Sequence, residues 1–482
     1  MAAIVLASLA GLVHPWFDPT SDGSLYILTS RALLDGDGYT VLGIPFVARP
    51  PGYAALIAPI LAVGRGNFWA LNLFTSLFGA AAVLGFFALH RRALGAALAA
   101  VLALVVWLEP AFQQLCNRVM SDAPGLALLF GCLLLERWVD RKPTFARQAL
   151  LGCALGASAW VRTVLVLLLP AILLARWLRG ARASKWRSHT FRFARSQAAF
   201  VAACVLVILP WNVHVARNQP PLPLDQFELY SYETGLFHVD ASDPTSERAS
   251  PSEILARVPH NAPRILAAIG SRMHDAVRGW GHLALGALLL GAASILALRR
   301  RSSEDFFLLA SLAVLLVFYD FTVRTVLPVF VLALGSSVAF AHELGSARFG
   351  ERRTRIALGV ALAVLCALDC RPRAGWDEIE TRHRHYVEVA EAIERELPPD
   401  ARLASGLGWH LGAFLDRPVY SLYWAYHREP TGETLARTLE KYAIDRVVLT
   451  SFEPTDTPFF AELQRSGEGL PLGEWATAFD VR

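Results

Sequence analysis

The chain has 482 residues, of which 54% are hydrophobic and 18% charged, with a net charge of +4 and a mean hydropathy of +0.40. An ordinary soluble domain carries roughly 25% charged residues, and here apolar runs of about 18 or more recur, each long enough for a hydrocarbon core of roughly 30 Å. The composition excludes a soluble globular protein, and the Arg between the apolar runs reads as topology, so no nucleic-acid partner is expected.

Ala2–Val13 is a short first helix without a basic n-region, so it reads as a membrane helix and not as a cleaved signal. Whether its Met is the true start is left open. The next stretch, "TSDGSLYILTSRALLDGDGYTVLGIPFVARPPGYAAL", puts Asp22, Asp35, Asp37, Arg49 and a Pro-Pro-Gly turn together. Within it "SLYILTSRALL" has apolar residues at helical spacing, which predicts a helix along the membrane surface with Asp22 at or just before its start. Asp22 then has two readings. Asp is a favoured N-cap, a role that Ser21 or Ser24 can also fill, and a carboxylate at the membrane boundary can take a proton from an attacking hydroxyl. "ARPPGY" fixes a rigid turn or a helix start.

Five basic clusters follow, at Arg91–Arg92, Arg137–Arg147, Arg176–Arg195, Arg299–Arg301 and Arg348–Arg355. The positive-inside rule places all five in the cytoplasm, and an even number of crossings must separate them. The chain therefore turns outside over Glu109–Pro124. The segment from Arg147 to Arg176 is about 44 Å long as one straight helix. Parity demands two short helices instead, turning outside near Arg162. Ala198–Leu209 is a span, followed by an outer loop from "PWNVHVARN" to about Trp280 that contains an amphipathic stretch, Ile254–Met273. Asp320–Thr325 is the next outer turn, and Ile356–Leu368 is the last helix. The sum is about eleven transmembrane helices with outer loops at 14–66 and 211–280. Residues 371–482 change character: the amphipathic "YVEVAEAIEREL", helical "TGETLARTLEKY" and strand-like "ARLASG", "RPVYSL" and "DRVVLTS" predict a small extracytoplasmic α/β domain behind a membrane domain of 1–370. The aromatic run "GWHLGAFLDRPVYSLYWAYH" reads first as its core and second as a sugar-stacking surface.

By this parity Asp22, Arg49, Arg118, Asp122, Arg162, Arg217 and Arg324 share the outer side, where loops are ordinarily poor in Arg. Each Arg alone reads as a snorkelling side chain. Together they suit a lipid-linked phosphate, which guanidinium grips bidentately. The six cysteines read as core residues, no Cys or His spacing predicts a metal, and no nucleotide-binding Gly-rich loop is present.

The order of "SDGSLY", "ARPPGYAALIAPI", "MSDAPGLALL", "SAWVRTVLVLLLPAILL", "LPWNVHVARN" and "VRTVLPVFVLAL" resembles the GT-C superfamily of integral-membrane glycosyltransferases, in its protein O-mannosyltransferase-like and aminoarabinose-transferase-like branch. The likeness covers about Met1–Leu368, and the tail also looks like the small extracytoplasmic domain of such enzymes. The resemblance implies Asp22 as catalytic carboxylate, four residues before Tyr26, with Gly23 where a second acid often stands. Asp18 competes but lacks the Tyr spacing. It implies a polyprenyl-monophosphate sugar as donor, held by Arg324 before its Leu-Pro, with Arg49, Arg162 or Arg217 assisting. It adds Asp122, Arg118, Asn218 and Tyr53 as further site candidates, and it needs no metal or cofactor. The expected partners are that donor, membrane lipid, and a glycan, lipid or protein acceptor, at an inner cell membrane with an extracytoplasmic site. A transporter or flippase for a lipid-linked substrate is the rival reading. It is disfavoured because no internal repeat is seen and the charges sit at one face, away from the midplane.

Overall fold

The computed structural model describes residues 2–181, 186–219, 233–240, 246–273, 279–318, 324–369, 375–422, 432–452, 463, 465 and 469–481. The chain begins with α1 (Ala2–Leu12), α2 (Ser21–Asp35), a hairpin of β1 (Thr40–Val41) and β2 (Ile44–Pro45), and α3 (Gly52–Val63). A helical bundle follows: α4 (Phe68–Leu94), α5 (Ala96–Leu108), α6 (Pro110–Cys116), α7 (Asp122–Arg141), α8 (Phe145–Val161), a 3₁₀ turn (Thr163–Leu167), α9 (Leu168–Ala181) and α10 (Trp186–Asn218). Then come α11 (Glu233–Phe237), α12 (Pro251–Ser271), α13 (Trp280–Arg300), α14 (Ser303–Val317), α15 (Leu327–Phe349) and α16 (Glu351–Asp369). One apolar core runs through the bundle, from Phe86 and Phe130 to Phe307 and Phe330.

Five described helices are long and apolar enough to cross a membrane, or six if α5 and α6 form one bent span. This is fewer than the eleven expected, because the other helices are shorter than a full span or carry more charge. α5 and α6 meet at 68°. Pro110 at the first position of α6 cannot continue α5, and Glu109 caps the new helix through the Phe112 amide while pairing with Arg272. The predicted break at Arg162 is present between α8 and the 3₁₀ turn.

Two expectations change. "PWNVHVARN" is not loop, since α10 runs through Pro210 to Asn218. Interior Pro removes one hydrogen bond but is tolerated in apolar helices. The amphipathic stretch is α12, which starts three residues before Ile254 at a Ser250–Glu253 capping box. It packs into the bundle: Asn261 is fully buried and donates to the Leu316 and Phe318 carbonyls at 3.0 and 2.7 Å. That satisfies the open carbonyls at the end of α14.

The C-terminal residues form α17 (Trp376–Glu396), β3 (Leu403–Ser405), α18 (Gly408–Gly412), β4 (Val419–Ser421), α19 (Gly432–Lys441), β5 (Arg446–Thr450), β6 (Leu470–Leu472) and β7 (Ala476–Asp480). The five strands lie in the order β4-β3-β5-β7-β6, parallel among β4, β3 and β5 and antiparallel at β7 and β6. Strand side chains alternate between faces. Leu403, Val448 and Ala478 pack with the α17 residues Val389 and Ile393, while Ala404, Val447 and Phe479 pack with Leu435 of α19.

This sheet unit is clamped onto α2. Arg31, 7% exposed, donates to the carbonyls of Gly412, Leu415, Ala413 and Arg65 at 2.8–3.2 Å. Asp18 forms an ion pair with Arg118 at 2.5 Å and accepts from Arg382 of α17 at 3.1 Å. Trp409 is buried against Leu25, Val41 and Phe46, so this part of the aromatic run is core. His383 accepts the Phe17 amide at 3.2 Å, and His14 meets Trp376 edge-on. Burial pushes His14 and His410 down to about 4 and also lowers His383. Between about pH 6.5 and 4 the unfolded chain takes up protons at His14 and His410 before the folded one, so stability falls as pH falls. The slope is on the order of 1.4 kcal/mol per pH unit for each histidine. Thermal unfolding at pH 7 and pH 5 should show a drop that His410→Gln and His14→Gln each make shallower; an unchanged slope in both would refute the assignment.

Candidate active site

Asp22 sits in the first turn of α2, but it is not the cap. Thr20 holds that place with extended backbone, and its hydroxyl accepts the Gly23 amide. The Asp22 carboxylate is therefore free of capping duty. It is 8% exposed and lies between two guanidiniums, with Arg49 on Oδ1 and Arg324 on Oδ2. Burial alone would raise its pKa. Arg49 and Arg324, with Arg162 behind them, outweigh that and hold the carboxyl below its usual range.

A second pair stands beside the first. Asp122, in the first turn of α7, forms an ion pair with Arg162 at 2.9 Å and lies 3.8 Å from Arg324. Arg162 also reaches the Ser121 hydroxyl at 3.4 Å, and the Tyr26 hydroxyl donates to Ser121 at 3.2 Å. Two glycines make this cluster possible. A Cβ on Gly125 would fall 2.5 Å from the Arg162 side chain, so Arg162 can cross α7 to Asp122 only over a glycine. A Cβ on Gly52 would fall 2.6 Å from the Trp160 carbonyl, so the Pro-Pro-Gly turn brings α3 onto the end of α8. This close approach sets Arg49 beside Arg162.

The cluster closes one end of a cavity of about 420 Å³. Asp22, Tyr26, Arg49, Ser121, Arg162 and Arg324 line the polar part. The rest is mostly apolar: beside Thr163, Ser311 and Thr325 it is lined by Val161, Val164, Val166 and Leu167 around the α8 break, Leu236 of α11, Val314 and Leu315 of α14 with Phe318 at its end, and Pro328 and Val329 of α15. Charge at one end and hydrocarbon at the other suits an amphipathic anion.

The structure brings Asp22, Tyr26, Arg49, Asp122, Arg162 and Arg324 into one cluster. Four candidates lie elsewhere. Arg118 pairs with Asp18, and so ties the loop to α17. Tyr53 is fully buried beneath the site, edge-on to Tyr26, with its hydroxyl on Thr75. Arg217 is exposed and lines no part of the cavity. Asn218 reaches only back along its own helix to His214, whose Nε2 is 3.1 Å from the Phe46 carbonyl. The continued α10 explains both, since these residues extend a helix where a converging loop was expected. Ser121, Thr163 and Thr325 line the cavity without having been singled out; each sits next to an expected residue, and adjacency to Asp122, Arg162 and Arg324 was the available signal.

Fold and site define a class: a polytopic helical membrane protein with a carboxylate–guanidinium cluster at the head of an apolar cavity. Known proteins agree with it. The sequence profile of the family described as dolichyl-phosphate-mannose-protein mannosyltransferase matches residues 48–214. ArnT from Cupriavidus metallidurans, solved bound to undecaprenyl phosphate, is 14% identical with a TM-score of 0.62 over 99% of this chain and 96% of that one. The Archaeoglobus fulgidus oligosaccharyltransferase, solved with Zn and sulfate, is 12% identical with a TM-score of 0.56 over 93% and 67%. The archaeal oligosaccharyltransferase AglB, with an inhibitory peptide and a dolichol-phosphate, gives 14% and 0.52 over 93% and 68%. A search of curated proteins returns no match. At these identities the structures show a shared fold. With the profile, they uphold the resemblance to the GT-C superfamily of membrane glycosyltransferases that the sequence motifs indicate.

Proposed function

We propose that this chain is a membrane glycosyltransferase that moves a sugar from a polyprenyl-monophosphate donor to an acceptor hydroxyl on the extracytoplasmic face. The observation that carries it is Asp22 between Arg49 and Arg324 at the head of an apolar cavity. The polyprenyl chain lies along Val164, Leu167, Leu315 and Phe318, and the phosphate meets Arg324 and Arg49. The Asp22 carboxylate takes the acceptor's O–H proton, the acceptor oxygen attacks the anomeric carbon, and the bond from that carbon to the phosphate oxygen breaks. The electron pair leaves on the polyprenyl phosphate, where preorganised guanidiniums stabilise growing charge. One in-line displacement inverts the anomeric centre. Asp122 orients Arg162 and shares Arg324. The basic clusters support an extracytoplasmic position for this end of the bundle; in this reading the shorter apolar helices complete about eleven crossings, and the described C-terminal helices and strands form an extracytoplasmic unit over α2.

The test uses purified protein in detergent and a panel of radiolabelled polyprenyl-phosphate sugars. Wild type is expected to bind a donor. Arg324→Ala is expected to lose binding by about tenfold or more, on the scale of one charge-assisted contact, while Arg217→Ala binds as wild type does. A folded wild type that binds no member of the panel would overturn the reading in favour of a lipid-substrate transporter.

A further inference from the structure

We infer that the donor phosphate enters by exchange: it takes Arg49 and Arg324 from Asp22, and only a donor-loaded site presents a carboxylate able to accept the acceptor's proton. This rests on the donor reading above. The site is closed on itself. Each oxygen of Asp22 is engaged by a different guanidinium, and both guanidiniums line the same cavity as the apolar run that would carry the lipid. A carboxylate so paired is a poor base, held below its usual range by the same two charges. A general base works best with its pKa near the operating pH. The two needs, a gripped phosphate and a basic carboxylate, are met together only if the guanidiniums change partners.

The geometry suits that change. A phosphodiester has two free oxygens on one centre, as a carboxylate does, and can take the same two donors. Among the described residues Arg49, Arg162 and Arg324 face Asp22 and Asp122, so an anion entering the cluster meets three guanidiniums. Asp122 anchors what must not move. Arg162 is tied to it at 2.9 Å, and Arg324 lies 3.8 Å from it, so Arg324 keeps a carboxylate neighbour when Asp22 lets go. Binding is then ordered, with donor before productive acceptor.

The exchange makes an unusual forecast: removing the catalytic carboxylate should strengthen binding of the lipid phosphate. Equilibrium binding and thermal unfolding would be measured on the full chain in detergent, with undecaprenyl phosphate, undecaprenol and inorganic phosphate as separate probes. Asp22→Asn is expected to unfold at a lower temperature alone, because two buried guanidiniums lose their counter-ion. It should bind undecaprenyl phosphate about tenfold more tightly than wild type, the internal competitor being gone. Undecaprenol should not discriminate between the two. Tightening with inorganic phosphate as well would place the effect in the anion alone, and tightening with undecaprenyl phosphate only would require the lipid chain too; either supports exchange. Asp122→Asn removes the same charge without freeing Arg49, so equal tightening there would reduce the effect to net charge and overturn exchange. Equal or weaker binding by Asp22→Asn would also overturn it and leave the donor reading intact. A wild type blind to undecaprenyl phosphate would instead sink the donor reading itself. If Asp22→Asn does not survive purification, undecaprenyl phosphate added throughout is expected to rescue it, and Asp22→Ala likewise; failure of that rescue counts against exchange.

Discussion

Sugar transfer is expected to fall by about 10²- to 10⁴-fold in Asp22→Asn, the range that a positioned general base contributes, while donor binding persists. The amide keeps the shape of the carboxylate but cannot accept the acceptor's proton. Steady-state turnover with a matched donor and acceptor would measure it, with bound donor quantified in the same samples. The split between lost turnover and kept binding is what separates a base from a phosphate ligand. Turnover at wild-type level would remove Asp22 from the chemistry and turn attention to Asp122. Asp18 is a poor substitute in either case, because Arg118 and Arg382 hold it and it lines no part of the cavity.

The second large effect falls on a residue outside the cavity. Arg31→Ala should destabilise the protein by on the order of 3–5 kcal/mol, since it strips a buried charged donor from several carbonyls at once. Those oxygens belong to Gly412, Ala413, Leu415 and Arg65, and the substitution leaves them buried without their partner. Arg31→Lys should recover little, because an ammonium is one point and the guanidinium reaches four acceptors with two nitrogens. Thermal unfolding and limited proteolysis between residues 397 and 422 would report it. A variant as stable and as protease-resistant as wild type would mean that the clamp contributes nothing.

How much was legible follows from what sequence can encode locally. Asp22 and Tyr26 are one helical turn apart, so their shared face is fixed by α-helix geometry alone. Arg49 precedes two prolines and Arg324 precedes Leu-Pro, and such turns end or start helices wherever they occur. The break at Arg162 followed from counting crossings. Arg217 and Asn218 show the limit. Their place in the motif order is right, but an uninterrupted helix through Pro210 carries Arg217 to an exposed position. Arg118, expected as a site candidate, pairs instead with Asp18, because nothing near it in the chain announces Asp18 and Arg382. Arg31 was invisible for a different reason. Its acceptors are main-chain carbonyls some 380 residues away, and a carbonyl has no letter in the sequence. The tail's strands were readable as short apolar runs, whereas β6 and β7 were not, since "LPL" and "ATAFD" are too brief to stand out.

The helix that holds Asp22 also holds Arg31, at its other end. Deleting the C-terminal residues is therefore not a neutral way of asking what they do. It would uncover the sockets of Trp409 and Ala413 on α2 and strand a buried cation on the same rod that aims the carboxylate. A shortened protein would be inactive whether or not its tail ever touches a substrate. Surface changes at the ion pair of Arg446 on β5 and Asp480 on β7 leave α2 undisturbed and put that question cleanly.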